Sequence, residues 1–253
     1  APGGATTTTV AFAAGSDTSD TVYAATPARN GTYRVRLSIG ADAWDSEPVF
    51  VDALRVVLGT GDPLKLGAGL ATDGVSVSLQ VQQQLVSRPA PTIVQLACAN
   101  AALCTSDATV EIPADSYGAQ VRIEGLGVGT TTLTASASGL PAIDPLPVHV
   151  VKPQILVRPE ATSVAKGQPL DFRVEIAVPD SPWYQLPVQA IAVGLASEVP
   201  AVGTVPATTT IPAGATVSPT LSMQALRAGT TALTGSGPNL EPGTSPTITV
   251  TDN

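Results

Sequence analysis

The chain repeats itself at an interval of about 100 residues, and that interval limits what it can fold into more than any other feature. Residues 126–136 (Leu-Gly-Val-Gly-Thr-Thr-Thr-Leu-Thr-Ala-Ser) return as residues 226–236 (Leu-Arg-Ala-Gly-Thr-Thr-Ala-Leu-Thr-Gly-Ser), so that Gly229 stands 100 positions after Gly129. Upstream, Ile112-Pro113-Ala114-Asp115 answers to Ile211-Pro212-Ala213-Gly214, and Val94-Gln95-Leu96-Ala97 to Val193-Gly194-Leu195-Ala196, each pair 99 apart. A fainter copy opens the chain, with residues 10–15 in the place of Ile-Pro-Ala-Gly and residues 30–35 in the place of Gly-Thr-Thr. The segments that close each copy, residues 48–51, 147–150 and 246–250, keep the same step. Repeats of roughly 20–50 residues build solenoids whose units lean on one another. A period near 100 is the size of a sandwich domain that buries its own core.

Within a copy, apolar residues alternate with polar ones, as in Val75-Ser76-Val77-Ser78-Leu79-Gln80-Val81 and at Leu170, Phe172, Val174, Ile176 and Val178. A period of two means strands with one buried and one wet face. About seven such runs fit each full copy, separated by Pro, Gly, Asp and Ser clusters, which is the strand number of an immunoglobulin-like sandwich. The 23 prolines and 23 glycines, spread along the chain, exclude long helices. Aromatics make up only 4%, so the cores must be assembled from many small aliphatic side chains. The expected architecture is all-β, with tandem immunoglobulin-like β-sandwiches in a rod-like arrangement. The expected boundaries are a partial unit over 1–56 and full units over 57–152 and 153–253. The glycine of Gly-Thr-Thr is expected where the chain turns into the penultimate strand, and the proline of Ile-Pro-Ala-Gly at an edge or bulge.

Charge and chemistry remove several function classes. A net charge of −8 with only 12 Lys and Arg leaves no basic surface to neutralise a row of phosphates, so nucleic acid is not an expected partner. No uninterrupted apolar stretch approaches the roughly 20 residues of a membrane-spanning helix. His149 is the single histidine and falls at an ordinary strand position. No nucleophile elbow, phosphate-cradling glycine loop or His-rich metal motif occurs, so neither catalysis nor a cofactor is expected. Asp42, Asp45 and Glu47 cluster around Trp44, but calcium needs six to eight converging oxygens, and these acids read as a solvated loop. Cys98 and Cys104 have no second cysteine pair or nearby histidine with which to hold zinc. A local disulfide is expected over two free thiols, and with it an oxidising compartment. In Pro182-Trp183-Tyr184-Gln185, adjacent aromatics on a loop make Trp183 and Tyr184 the candidate partner contact. The alternative for them is packing on the core end or on the neighbouring domain.

The Ile-Pro-Ala-Gly turn, the alternating strand and the Ala-Gly-Thr-Thr-x-Leu-Thr segment together resemble the bacterial immunoglobulin-like repeats of large secreted and cell-surface proteins. Residues 208–236 carry the pattern best. Residues 109–136 follow it with Asp115 in place of the turn glycine, and residues 8–38 only in outline. The resemblance implies an extracellular or cell-surface location and a structural role, as spacer, stalk, or filament or surface-layer component. Its partners would be neighbouring domains of a longer chain or other subunits of an assembly. An adhesive module that binds a glycan or host protein is the alternative. A half-unit at residues 1–56 would leave a sheet edge open, to be completed by a longer chain or by strands from another subunit.

Overall fold

In the computed structural model, the described residues are 31–34, 36–39, 42–47, 49–51, 53–59, 63–141 and 144–252. The chain packs as two units, Ala1–Ala53 and Leu54–Asn253. In the first, strands β1 (Gly31–Tyr33), β2 (Arg36–Ile39), β3 (Asp42–Asp45) and β4 (Val49–Val51) form two antiparallel pairs, β1 with β4 and β2 with β3. Residues 10–15, which carry part of the fainter repeat, lie outside the described residues.

The second unit holds two sandwiches, each with its own hydrophobic cluster. The first is built from β5 (Arg55–Gly59), β6 (Leu64–Gly67), β7 (Leu70–Val81), β8 (Gln84–Leu85) and β9 (Thr92–Cys98). It continues through β10 (Cys104–Ser106), β11 (Thr109–Ile112), β12 (Gly118–Gly125), β13 (Gly129–Ala137) and β14 (Leu146–Val151). One sheet runs β10-β12-β7, with β5 on the other edge of β7. The facing sheet runs β11-β9-β13-β14-β6, and its β14–β6 pair is parallel. The alternation foreseen in β7 is what buries Val75, Val77 and Leu79 against Leu96, Leu133 and Val148 of the opposite sheet.

The second sandwich repeats the plan. Its strands are β15 (Gln154–Pro159), β16 (Ser163–Ala165), β17 (Pro169–Ala177), β18 (Leu186–Pro187), β19 (Ile191–Ser197) and β20 (Gly203–Thr204). After these come β21 (Thr208–Ile211), β22 (Leu221–Ala225), β23 (Gly229–Thr231), β24 (Leu233–Ser236), β25 (Gly243–Thr244) and β26 (Ile248–Thr251). The order β20-β22-β17-β15 matches β10-β12-β7-β5, and β21-β19-β24 with β23-β26-β16 matches the other sheet. Phe172 lies at the centre of this core with Ile155, Val174, Ile211, Met223 and Ile248.

The sequence period is carried down to single hydrogen bonds. Leu126 N donates to Leu103 O and Leu226 N to Val202 O, both at 2.8 Å. Asn100 N and Val199 N donate to the hydroxyls of Thr131 and Thr231, both at 3.1 Å. Asp115 N reaches Arg88 O at 2.7 Å and Gly214 N reaches Pro187 O at 2.9 Å. Asp115 and Gly214 share the left-handed backbone region, with φ of 59° and 73°, which explains why aspartate can stand in for the turn glycine. Gly129 and Gly229 also stand at positive φ, 156° and 150°, and a Cβ on them would in addition lie 3.0 Å from Leu103 Cδ1 and 2.9 Å from Val202 Cγ2.

Candidate inter-sandwich interface

The chain crosses from one sandwich to the other at Val151-Lys152-Pro153, but most of the contact comes from elsewhere. It comes from residues 178–188, the connection that follows β17. Pro179, Pro182 and Pro187 deny this segment three backbone donors, and it forms no ladder with β17, which pairs with β15 and β22. It reaches instead to the first sandwich and adds β18 to an edge of β7, pairing Leu186 with Ala71 and Pro187 with Leu70. At Ala71 the other edge of β7 is already taken by Glu124 of β12, so β18 occupies the edge that β5 uses further along, from Ser76 to Gln80. Val188 N extends the contact to Gly69 O at 3.1 Å.

Gln185 is the polar centre of the contact and is buried. Its Oε1 accepts from Gly67 N at 2.8 Å, and its Nε2 donates to Lys65 O at 2.8 Å and to Ser181 Oγ at 2.9 Å. All of the amide's donors are used, so burying it leaves no desolvated donor. Thr72 Oγ1 donates to Tyr184 O at 3.0 Å and accepts from Gly74 N at 3.0 Å. Trp183 sits close against Gly74, where a Cβ would lie 2.5 Å from Trp183 Cε3, and it packs against the first core. Leu70 goes the other way and joins the core of the second sandwich. Each sandwich therefore lends an apolar side chain to the other. The Lys65–Asp180 ion pair at 3.4 Å lies on the rim, with Asp180 almost fully exposed, and contributes little.

Of the two aromatics singled out in the sequence, Trp183 is thus half-buried in this interface, while Tyr184 beside it is 72% exposed. The counterpart connection in the first sandwich, residues 82–91, does not reach outward. Its β8 folds back on β7, pairing Leu85 with Gln80. Sequence reading passed over Gln185, Thr72 and the acceptor glycines Gly67 and Gly74. The signal was present, since glycine in a strand marks a close approach, and Gly67 closes β6 while Gly74 lies inside β7.

The remaining candidates stand apart from one another. Cys98 and Cys104 are joined in a disulfide, Cα to Cα 5.9 Å, which ties β9 of one sheet to β10 of the other. His149 is exposed on β14 between Thr130 and Lys65. Asp42 and Asp45 lie on the exposed strand β3, where Asp45 pairs with Arg36 at 3.2 Å, and Trp44 between them is exposed. No three His, Cys, Asp or Glu among the described residues converge as a metal site. A surface groove of about 310 Å³ over β9, β11 and β13 is lined by Gln95, Ala97, Thr109, Thr134 and Ser136, none of them an acid, base or thiol.

Paired sheets, parallel β14–β6 closure and a repeated strand order define tandem immunoglobulin-like sandwiches, an all-β protein class. Neither protein-family models nor curated proteins match the chain. Among solved structures, the D00-D0 domain of intimin is similar at 11% identity and TM-score 0.36, over 79% of this chain and 100% of that one. Domains 4 and 5 of the S-layer protein SbsC are similar at 14% and 0.35, over 79% and 99%. The Yersinia pseudotuberculosis adhesin InvE is similar at 14% and 0.34, over 79% of this chain and 60% of that one.

Proposed function

We propose that this chain is a structural spacer or surface-assembly component of a secreted bacterial protein, with immunoglobulin-like units over 57–152 and 153–253. What carries the reading is the use made of residues 178–188. The connection with the most distinctive side chains is spent on joining one sandwich to the next, through a buried glutamine and a shared strand edge. The disulfide supports an oxidising, extracellular setting. The test is replacement of residues 54–253, in the bacterium that makes the protein, by two unrelated immunoglobulin-like domains of similar length. A spacer tolerates the exchange with surface assembly intact. Loss of function despite normal surface display would sink this reading.

An adhesive role is the second reading, and the exposure of Tyr184 favours it, since a solvent-facing aromatic ring can stack on a sugar or anchor a protein. It predicts binding on a glycan or host-matrix panel that Tyr184→Ala abolishes. Binding that survives the substitution removes Tyr184 from the account.

A further inference from the structure

We infer that residues 178–188 are a latch that holds the two sandwiches in one fixed arrangement, and that Gly67–Gly74 is a docking surface shaped for it. Domains joined by a short linker normally move relative to one another unless their interface is large and apolar. Here the linker alone, Val151-Lys152-Pro153, is not the main restraint. The latch adds backbone pairing, a fully bonded buried amide and an indole packed where Gly74 has no side chain, at three separate points along the acceptor. Attachment at three points restrains the rotations that a single hinge leaves free. The inference is independent of whether the protein serves as spacer or adhesin.

The acceptor is specific to this junction. The backbone contacts Gly69 N to Gly125 O (2.7 Å) and Gly167 N to Ala225 O (2.8 Å) show which positions of the two sandwiches correspond. By the same register, Glu124 faces Ala71 as Gln224 faces Pro169. Pro169 therefore stands where Ala71 receives β18, and a proline has no N–H to offer an incoming strand. Ala165 likewise stands where Gly67 receives Gln185. The second sandwich cannot accept a copy of its own latch, so the joint has a direction: the latch is always read by the sandwich that precedes it.

The experiment is a distance measurement on the full chain between spin labels carried on keto amino acids at Gln95 and Thr210, both exposed and one on each sandwich. The native chain is expected to give one narrow distance. The double variant Trp183→Ala, Gln185→Ala is expected to lose it and give a broad distribution, whereas Tyr184→Ala keeps it. Circular dichroism establishes that each variant remains folded. Should the double variant unfold, Thr72→Val, which removes the hydroxyl between Tyr184 O and Gly74 N, replaces it and is expected to broaden the distance as well. A broad distance in the native chain, or a narrow one in the folded double variant or in Thr72→Val, overturns the latch.

Discussion

The two sandwiches follow one plan and stabilise it by different means. In the first, the central strands run unbroken, twelve residues in β7 and nine in β13, and a disulfide ties the sheets together at one end. In the second, proline interrupts both ladders. Beyond Phe172 the pairing of β17 with β22 stops at Pro219, and Ser218 takes over: Val174 N donates to its Oγ at 3.0 Å while its own N donates to Val174 O at 2.8 Å. Ser245 does the same before Pro246, accepting from Leu233 N at 2.9 Å and donating to Leu233 O at 2.8 Å. At the disulfide positions the second sandwich has Ser197, whose hydroxyl bonds Thr231 Oγ1 at 2.8 Å, and Gly203. The repeated segments thus set turns and strand order, while the side chains that secure them are free to differ.

The widest difference should lie in the cores. Phe172 pairs with Leu221 as Val75 pairs with Val121, so the two occupy matching sites, both buried. Phe172→Ala is expected to cost about 3–5 kcal/mol through lost burial and a cavity, against about 2 kcal/mol for Val75→Ala. Urea denaturation followed by circular dichroism measures both. Equal costs would mean that the second core does not depend on its aromatic centre.

The disulfide offers a sharper contrast because it acts on one sandwich only. Closing so short a loop is worth about 2 kcal/mol in the chain-entropy account. Cys98→Ser with Cys104→Ser should lower the stability of residues 54–151 by that amount and change the second sandwich little. Hydrogen exchange resolved by mass spectrometry reads the two separately. Equal loss of protection in both would show that they unfold as one cooperative body.

Smaller still is the serine device. Ser245→Ala leaves Leu233 N, which is buried, without an acceptor, at a cost of about 1–2 kcal/mol. The expected signature is fast exchange of that one amide together with a modest fall in melting temperature. If the amide stays protected, the hydroxyl is not its partner in solution.

These cases show what could be read from the residues and what could not. Alternation announced the buried faces of β7 and β17, and the 100-residue spacing announced a second copy of the Ile-Pro-Ala-Gly and Gly-Thr-Thr turns, because both are local patterns with a fixed period. The strand count was less legible. The first edge strand is split between two sheets as β5 and β6, and the strand of Gly229 is split at Ala232, since pairing partners far along the chain decide where a ladder stops. Ser218 and Ser245 each precede a proline, a pattern that locally marks only a turn, and the partner strand alone shows that each replaces a missing ladder bond. The interface was legible at Trp183, for which packing on a neighbour stood as the alternative to a partner contact. It was illegible at Gln185, because nothing local distinguishes a buried amide from an exposed one.

The finest test of the comparison is the turn shared by Asp115 and Gly214. Both sit at positive φ and use the same backbone bond, yet only the second is glycine. No atom lies within 4 Å of where a Gly214 Cβ would stand, so any cost of filling it comes from the backbone and not from crowding. Gly214→Ala is therefore expected to cost about 1 kcal/mol, left-handed strain partly offset by a less flexible unfolded chain. Gly214→Asp, which copies the first sandwich, should cost less, because a short polar side chain bonds locally and tolerates this region. Thermal melts of the two variants decide the matter. If aspartate proves as costly as alanine, Asp115 is held in its turn by contacts particular to the first sandwich, and the two turns are alike in shape but not in cause.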